Sequence, residues 1–150
     1  MAAHRATIHW ERGDAEFSYQ SYSRDHTVTF ANGHVIESSA AADFLGNPDK
    51  VDPEAMLVAA LSNCHMLTFL ALAAKKRLVV ESYTDDASGV LGKIDGGKMA
   101  VTAVTLRPKI RFGGDQTPGP EALSAMHEKS HEHCFIANSV NAEISIEPPE

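Results

Sequence analysis

The chain has 150 residues, 43% of them hydrophobic and 22% charged, with a formal net charge of −7 at pH 7. That length fits a single domain over residues 1–150 with a real core, and acidic residues spread along the chain argue against nucleic acid as a partner. The opening stretch MAAHRATIHWERGD lacks the apolar run of a secretory signal, so a cytoplasmic location is expected, where the only two cysteines, Cys64 and Cys134, form no structural disulfide.

Residues 7 to 37 carry strand signals. Ile8 and Trp10, Phe17 and Tyr19, and Val28 and Phe30 recur at period two, and Val35-Ile36 resumes the pattern after an Ala31-Asn32-Gly33 turn. A meander of three short antiparallel strands is predicted here. Residues 38 to 51, SSAAADFLGNPDKV, read as a loop.

Asp52 to Lys76 then reads as a helix. Asp52 is a good N-cap, Pro53 suits the first helical position, and Glu54 complements the macrodipole, as Lys75, Lys76 and Arg77 do at the other end. No formally charged residue falls between Ala55 and Ala74. Such a helix is either a membrane span or the centre of a globular fold. Ser62, Asn63, Cys64 and His65 at its midpoint would be costly against lipid, so the expectation is no membrane and a helix enclosed by the rest of the chain.

Leu78 to Gly92 and Lys98 to Phe112 flank Asp95-Gly96-Gly97 and read as the two arms of a hairpin. In the second arm the apolar parity changes between Val101 and Val104, which a bulge near Thr102 would reconcile, and Pro108 marks an edge or a break. Pro118 to His133 reads as a second helix with Leu123 and Met126 on its apolar stripe, followed by Cys134-Phe135-Ile136. Val140 to Glu147 alternates as a last strand with one wet face. The predicted order is β-β-β-α-β-β-α-β, an α+β pattern.

The candidate chemistry centres on thiols. A cysteine in the middle of a buried helix begins with its thiolate disfavoured, and a neighbouring arginine would be needed to reverse that. Of the six arginines, Arg24 lies in a strand-and-turn region able to fold over the helix. Glu54 precedes Cys64 by ten residues, about 15 Å of helix rise, so it reaches the thiol only from another subunit or through an intervening arginine. Its alternative role is compensation of the helix dipole. Cys134, after a helix C-terminus, suits a resolving thiol, although an inert cysteine there is the open alternative. The competing reading is zinc, from His65, His127, His131, His133 and the cysteines, but the spacing matches none of the common structural zinc patterns. No nucleophile elbow supports Ser-His-Asp catalysis.

Asp52-Pro53-Glu54, Ala59-Ala60-Leu61-Ser62-Asn63-Cys64-His65-Met66 and His133-Cys134-Phe135-Ile136-Ala137-Asn138-Ser139 together resemble the OsmC/Ohr family of organic hydroperoxide peroxidases, closest to its OsmC-like branch. The resemblance runs along nearly the whole chain. It implies antiparallel sheets wrapped around central helices in an intertwined homodimer whose two sites are built from both chains. It assigns Cys64 as peroxidatic cysteine, Cys134 as resolving cysteine, Glu54 as the helix-start glutamate and Arg24 as the best match for the activating arginine. His65 after Cys64, where Ohr enzymes carry an aromatic residue, and Phe135 where many carry proline are departures that bear on the substrate.

The resemblance implies a thiol peroxidase without cofactor or metal, reducing organic hydroperoxides in oxidative stress defence. Cys64 would pass through a sulfenic acid to a Cys64–Cys134 disulfide, reopened by a dithiol of lipoamide or thioredoxin type. An apolar pocket along Met56, Leu57 and Phe69 would favour organic peroxides. The alternative is a redox-sensing or metal- or ligand-binding protein on the same fold.

Overall fold

Among residues 1–147, which the computed structural model describes, the alternation near the N-terminus becomes a three-stranded antiparallel sheet. Its strands, β1 (Ala6–His9), β2 (His26–Phe30) and β3 (Val35–Ser38), are ordered as they occur in the chain. Ile8, Val28 and Ile36 lie in one row across it, and Val28 is buried. Gly33, at φ 89°, adopts the left-handed backbone that the β2–β3 turn requires. Phe17 and Tyr19 do not form a strand. Phe17 packs with Trp10 and Tyr22, at centroid distances of 5.9 and 5.1 Å, and the Trp10 indole donates to the Ser23 carbonyl, so aromatic packing holds this stretch as turns. These elements belong to a compact unit of residues Met1–Met56; a second begins at Leu57.

Helix α1 (Pro53–Lys75) starts as the sequence indicates, with the Ala55 amide donating to Asp52 Oδ1 at 2.9 Å. It ends where Arg77 turns left-handed, at φ 60°, and the Leu78 amide donates back to the Ala73 carbonyl. The expected enclosure of the helix is not what the chain provides. Leu61, His65, Phe69 and Ala73 form one buried stripe at four-residue spacing, while Ala59, Asn63, Leu67 and Ala71 face outward, Leu67 at 61% exposure. Among the described residues, only one side of so apolar a helix is buried, and the other is exposed.

The two hairpin arms are also subdivided, giving four strands between the helices rather than two. They are β4 (Val79–Asp85), β5 (Ser88–Lys93), β6 (Met99–Leu106) and β7 (Pro108–Gly113). β4 pairs with β7 and β5 with β6, so the long ribbon breaks at Asp86-Ala87 and, opposite, at Arg107. The break is cross-braced. Asp85 Oδ1 accepts the Arg107 amide at 2.6 Å, and the Arg107 guanidinium donates to the Asp86 carbonyl and to Ser88 Oγ. Those side-chain and loop bonds replace the missing ladder bonds, and Pro108, without an amide hydrogen, begins the next strand. The bulge lies at Thr102, skipped between Val90↔Ala103 and Leu91↔Val101.

Helix α2 (Pro120–His133) follows, with proline in its first turn, and β8 (Glu143–Ile146) joins β6 in parallel, Ala103 facing Glu143. Two apolar clusters hold the unit that begins at Leu57. Leu61, Val104 and Leu106 form one, with Ile144 and Ile146 against them; Phe69, Ala73 and Met126 form the other, with Leu123, Tyr83 and Phe112. α1 lies so close to β5 that a Cβ at Gly89 would stand 2.7 Å from Val58 Cγ2. The result is an α+β fold with α1 and α2 against the sheets of this unit.

Candidate active site

Cys64 sits half-buried midway along α1, and Cys134 caps the end of α2 at 1% exposure. Both are free thiols, and Cys64 is the side-chain neighbour that acts on the Cys134 sulfur. Burial pushes the Cys134 thiol above its ordinary pKa, and the neighbouring Cys64 side chain pushes it further. The Ala137 and Ile136 amides act in the opposite direction, Ala137 N standing 3.4 Å from the Cys134 sulfur. Cys134 is therefore held as a thiol against its neighbour. The 3-10 turn Ala137–Ser139 fixes the segment behind it, the Asn138 amide donating to the Cys134 carbonyl at 3.0 Å.

An open groove of about 710 Å³ runs past Cys64, lined by Ala60, Leu67, Ala71, Phe135 and Ile136, with Asn63, Thr68 and His133 as its polar members. Two of these are engaged within the helix: Asn63 Nδ2 donates to the Ala59 carbonyl and Thr68 Oγ1 to the Cys64 carbonyl, both at 2.8 Å. The groove is mainly apolar, as a site for an alkyl or aryl group would be. It is not the pocket expected along Met56, Leu57 and Phe69. Leu57 packs on the first apolar cluster and Phe69 lies at the centre of the second, because the helix turns these side chains toward the sheets.

The imidazoles are arranged differently from a metal centre. His65 Nε2 and His127 Nδ1 are 3.0 Å apart in a hydrogen bond, the rings stack at 5.2 Å between centroids, and Phe69 stacks on His127 at 4.7 Å. Burial, with His127 and His131 nearby, pulls the His65 pKa down to about 4; burial lowers that of His127 too, against the pull of the Asp85 carboxylate. Among the described residues, no three His, Cys, Asp or Glu side chains gather as metal ligands. Next to the pair, Ser62 Oγ donates to Asp85 Oδ2 at 2.5 Å. The Tyr83 hydroxyl is buried without a partner among the described residues, its pKa raised by burial and then by Asp85. The sequence reading missed this cluster, although a histidine on the Leu61–Phe69–Ala73 stripe is the signal that would have found it.

Arg24 and Glu54 lie in the Met1–Met56 unit. The Arg24 guanidinium donates to the Tyr22 and Tyr19 carbonyls at 2.7 and 2.6 Å and lies over the Tyr22 ring, 3.6 Å from its centroid. Glu54, in the first turn of α1, has a buried Oε2 with no hydrogen-bond partner among the described residues.

The family model for OsmC-like protein matches residues 46–148. Among solved structures, an OsmC-like protein of unknown function from Vibrio cholerae is 48% identical, with 99% of this chain and 100% of that one covered at a TM-score of 0.93. An organic hydroperoxide resistance protein from Elizabethkingia anophelis shares the fold at 21% identity and a TM-score of 0.74, covering 99% of this chain and 94% of that one. The organic hydroperoxide resistance protein OhrB of Bacillus subtilis does so at 15% identity and 0.70, covering 99% and 98%. No curated protein matches the chain. With both cysteine segments and all of helix α1 inside the matched span, this chain belongs to the OsmC-like family.

Proposed function

We propose that the protein is a thiol-dependent peroxidase that reduces organic hydroperoxides. The observation that carries this reading is the neighbouring Cys64–Cys134 thiol pair beside an apolar groove. In the proposed cycle the Cys64 thiolate attacks the terminal oxygen of R–O–O–H. An S–O bond forms, the O–O bond breaks, and RO⁻ takes a proton to leave as the alcohol. Cys134 then attacks the Cys64 sulfenic acid; the S–S bond forms, the S–O bond breaks, and water leaves. A dithiol of lipoamide or thioredoxin type returns both thiols by exchange, which suits a cytoplasmic setting.

Arg24 is proposed to stabilise the thiolate and Glu54 to orient the guanidinium, with both chains of a homodimer contributing. The buried Oε2 of Glu54, without a partner among the described residues, is an acceptor for such a donor, and the open Ala59–Leu67–Ala71 face of α1 is an apolar surface that a second copy would cover. The names of the Elizabethkingia and Bacillus proteins of this fold agree with the chemistry proposed.

A second reading, a redox sensor without turnover, draws on the engagement of Arg24 by Tyr19 and Tyr22, which leaves that cation occupied. Turnover separates the two. Catalytic loss of tert-butyl hydroperoxide with a dithiol present supports the peroxidase, and a single stoichiometric oxidation supports the sensor. Intact mass after one equivalent of hydroperoxide is the direct test of the mechanism. The wild type should lose two hydrogens, and Cys134→Ser should instead gain one oxygen. An unchanged wild-type mass would remove the peroxidase reading.

A further inference from the structure

The peroxidase cycle makes no use of the buried imidazole pair, yet the pair joins the two helices that carry the thiols. Met126 of α2 packs on Phe69 and Ala73, His127 bonds His65, and Cys134 neighbours Cys64, so α2 and its C-terminal cap lie against α1 between Cys64 and Ala73. His127, Ser130 and Cys134 lie on one face of α2, all buried. Seven residues separate His127 from Cys134, two turns and about 10.5 Å of rise. Any slide or roll of α2 at His127 is carried to the Cys134 sulfur, because Cys134 is the cap of the same helix, its amide closing the last turn on the His131 carbonyl.

We propose that the His65–His127 hydrogen bond is a positioning device: it fixes the register of α2 on α1 and so holds Cys134 within bonding distance of Cys64. The inference rests on the dithiol reading above. Packing among Phe69, Ala73 and Met126 is apolar and without direction, and tolerates small slides. A disulfide does not, since its Cβ atoms must stand about 3.5–4.5 Å apart while a one-residue slip moves a helix by about 1.5 Å. Apart from the contact between the thiols themselves, His65–His127 is, among the described residues, the only side-chain hydrogen bond joining α1 to α2. At 1% and 8% exposure, both rings are sheltered from competing water. Burial keeps them uncharged near neutral pH, so one ring N–H donates and the other ring nitrogen accepts.

The test is the thiol–disulfide equilibrium of the full-length protein in dithiothreitol redox buffers, read by alkylation and intact mass. Oxidised dithiothreitol takes two hydrogens from Cys64 and Cys134 as their disulfide forms. His127→Phe keeps an aromatic ring on Phe69 but removes the nitrogen, and its equilibrium constant for disulfide formation should fall roughly tenfold, about 30 mV toward more oxidising potential. His127→Asn and His65→Gln, which keep a polar group near the Nδ1 and Nε2 positions, should stay within about threefold of wild type. A packing role alone gives the reverse order, because asparagine fills the site worse than phenylalanine. Wild-type equilibrium in folded His127→Phe, or as large a loss in His127→Asn, would overturn the proposal. Near-UV circular dichroism confirms folding, and His65→Met repeats the loss from α1 if His127→Phe does not fold. No peroxide is used, so an enzyme inert to hydroperoxides would defeat the peroxidase reading and leave this result standing.

Discussion

Acidification should destabilise the fold through His65 in a window set by its environment. The folded imidazole has its pKa pulled from 6.5 to about 4, while the unfolded one returns to the ordinary value. Between those limits the unfolded chain binds more protons, so stability rises with pH; it is fully present above about pH 6.5 and is lost as pH falls toward 4. The gap corresponds to about 3.4 kcal/mol when fully crossed, since each unit is worth about 1.4 kcal/mol. At pH 5 the unfolded ring is almost fully protonated and the folded ring almost neutral, so about 2 kcal/mol is already gone. Because the ring is 1% exposed, solvent screening takes little from that figure. His127 acts in the same direction. Urea unfolding at pH 7.5 and pH 5 measures it, with His65→Gln as the reference that cannot titrate. Wild type should exceed the variant at pH 7.5 and lose about 2 kcal/mol of that margin at pH 5. An equal margin at the two pH values would refute the reasoning.

Leu61→Ala, which empties a site at 1% exposure against Val104 and Leu106, should lower unfolding free energy by about 2–5 kcal/mol in urea titrations. Asp52→Ala removes the acceptor for the Ala55 amide and should cost about 1 kcal/mol, read as a lower midpoint at unchanged urea dependence. Gly89→Ala drives a methyl group to 2.7 Å from Val58, so β5 or α1 must shift; a loss of about 1–3 kcal/mol is expected, and a neutral result would mean that the strand and helix yield freely at this contact. Arg24→Met should slow Cys64 oxidation by hydroperoxide about 100-fold under the peroxidase reading, measured by stopped-flow tryptophan fluorescence, with little change under the sensor reading.

Local chemistry was the part of this fold that could be read in advance. Asn32-Gly33, Asp95-Gly96-Gly97 and the Asp52-Pro53-Glu54 start each encode a backbone conformation in neighbouring residues, and the parity change around Thr102 gave away its bulge. The division of the ribbon was hidden because the break at Arg107 is held by Asp85, more than twenty positions away. The alternation of Phe17 and Tyr19 misled for a related reason, since aromatic side chains suit a strand face and a packed turn equally well. The open face of α1 could not be separated from its buried face, because both are apolar and periodicity says nothing about how much cover one chain supplies. At the thiols, only the family resemblance anticipated that Cys64 and Cys134 would meet. The His65–His127 contact spans sixty-two positions, so spacing along α1 could mark His65 but not name its partner.

The parallel seam between β6 and β8 has a consequence for how the polypeptide reaches this form. Its paired residues, Ala103 with Glu143 through Leu106 with Ile146, lie about forty positions apart, and the stretch between them includes β7, α2 and Cys134. Bringing such distant partners together forfeits chain entropy before any pairing rewards it, so the seam should close late, after the nearby hairpin of β5 and β6 has formed. Until it does, the segment after Cys134 lacks its anchor on β6. Oxidation during synthesis would then trap cross-linked species between chains, and the thiol pair becomes safe only once the last strand has docked.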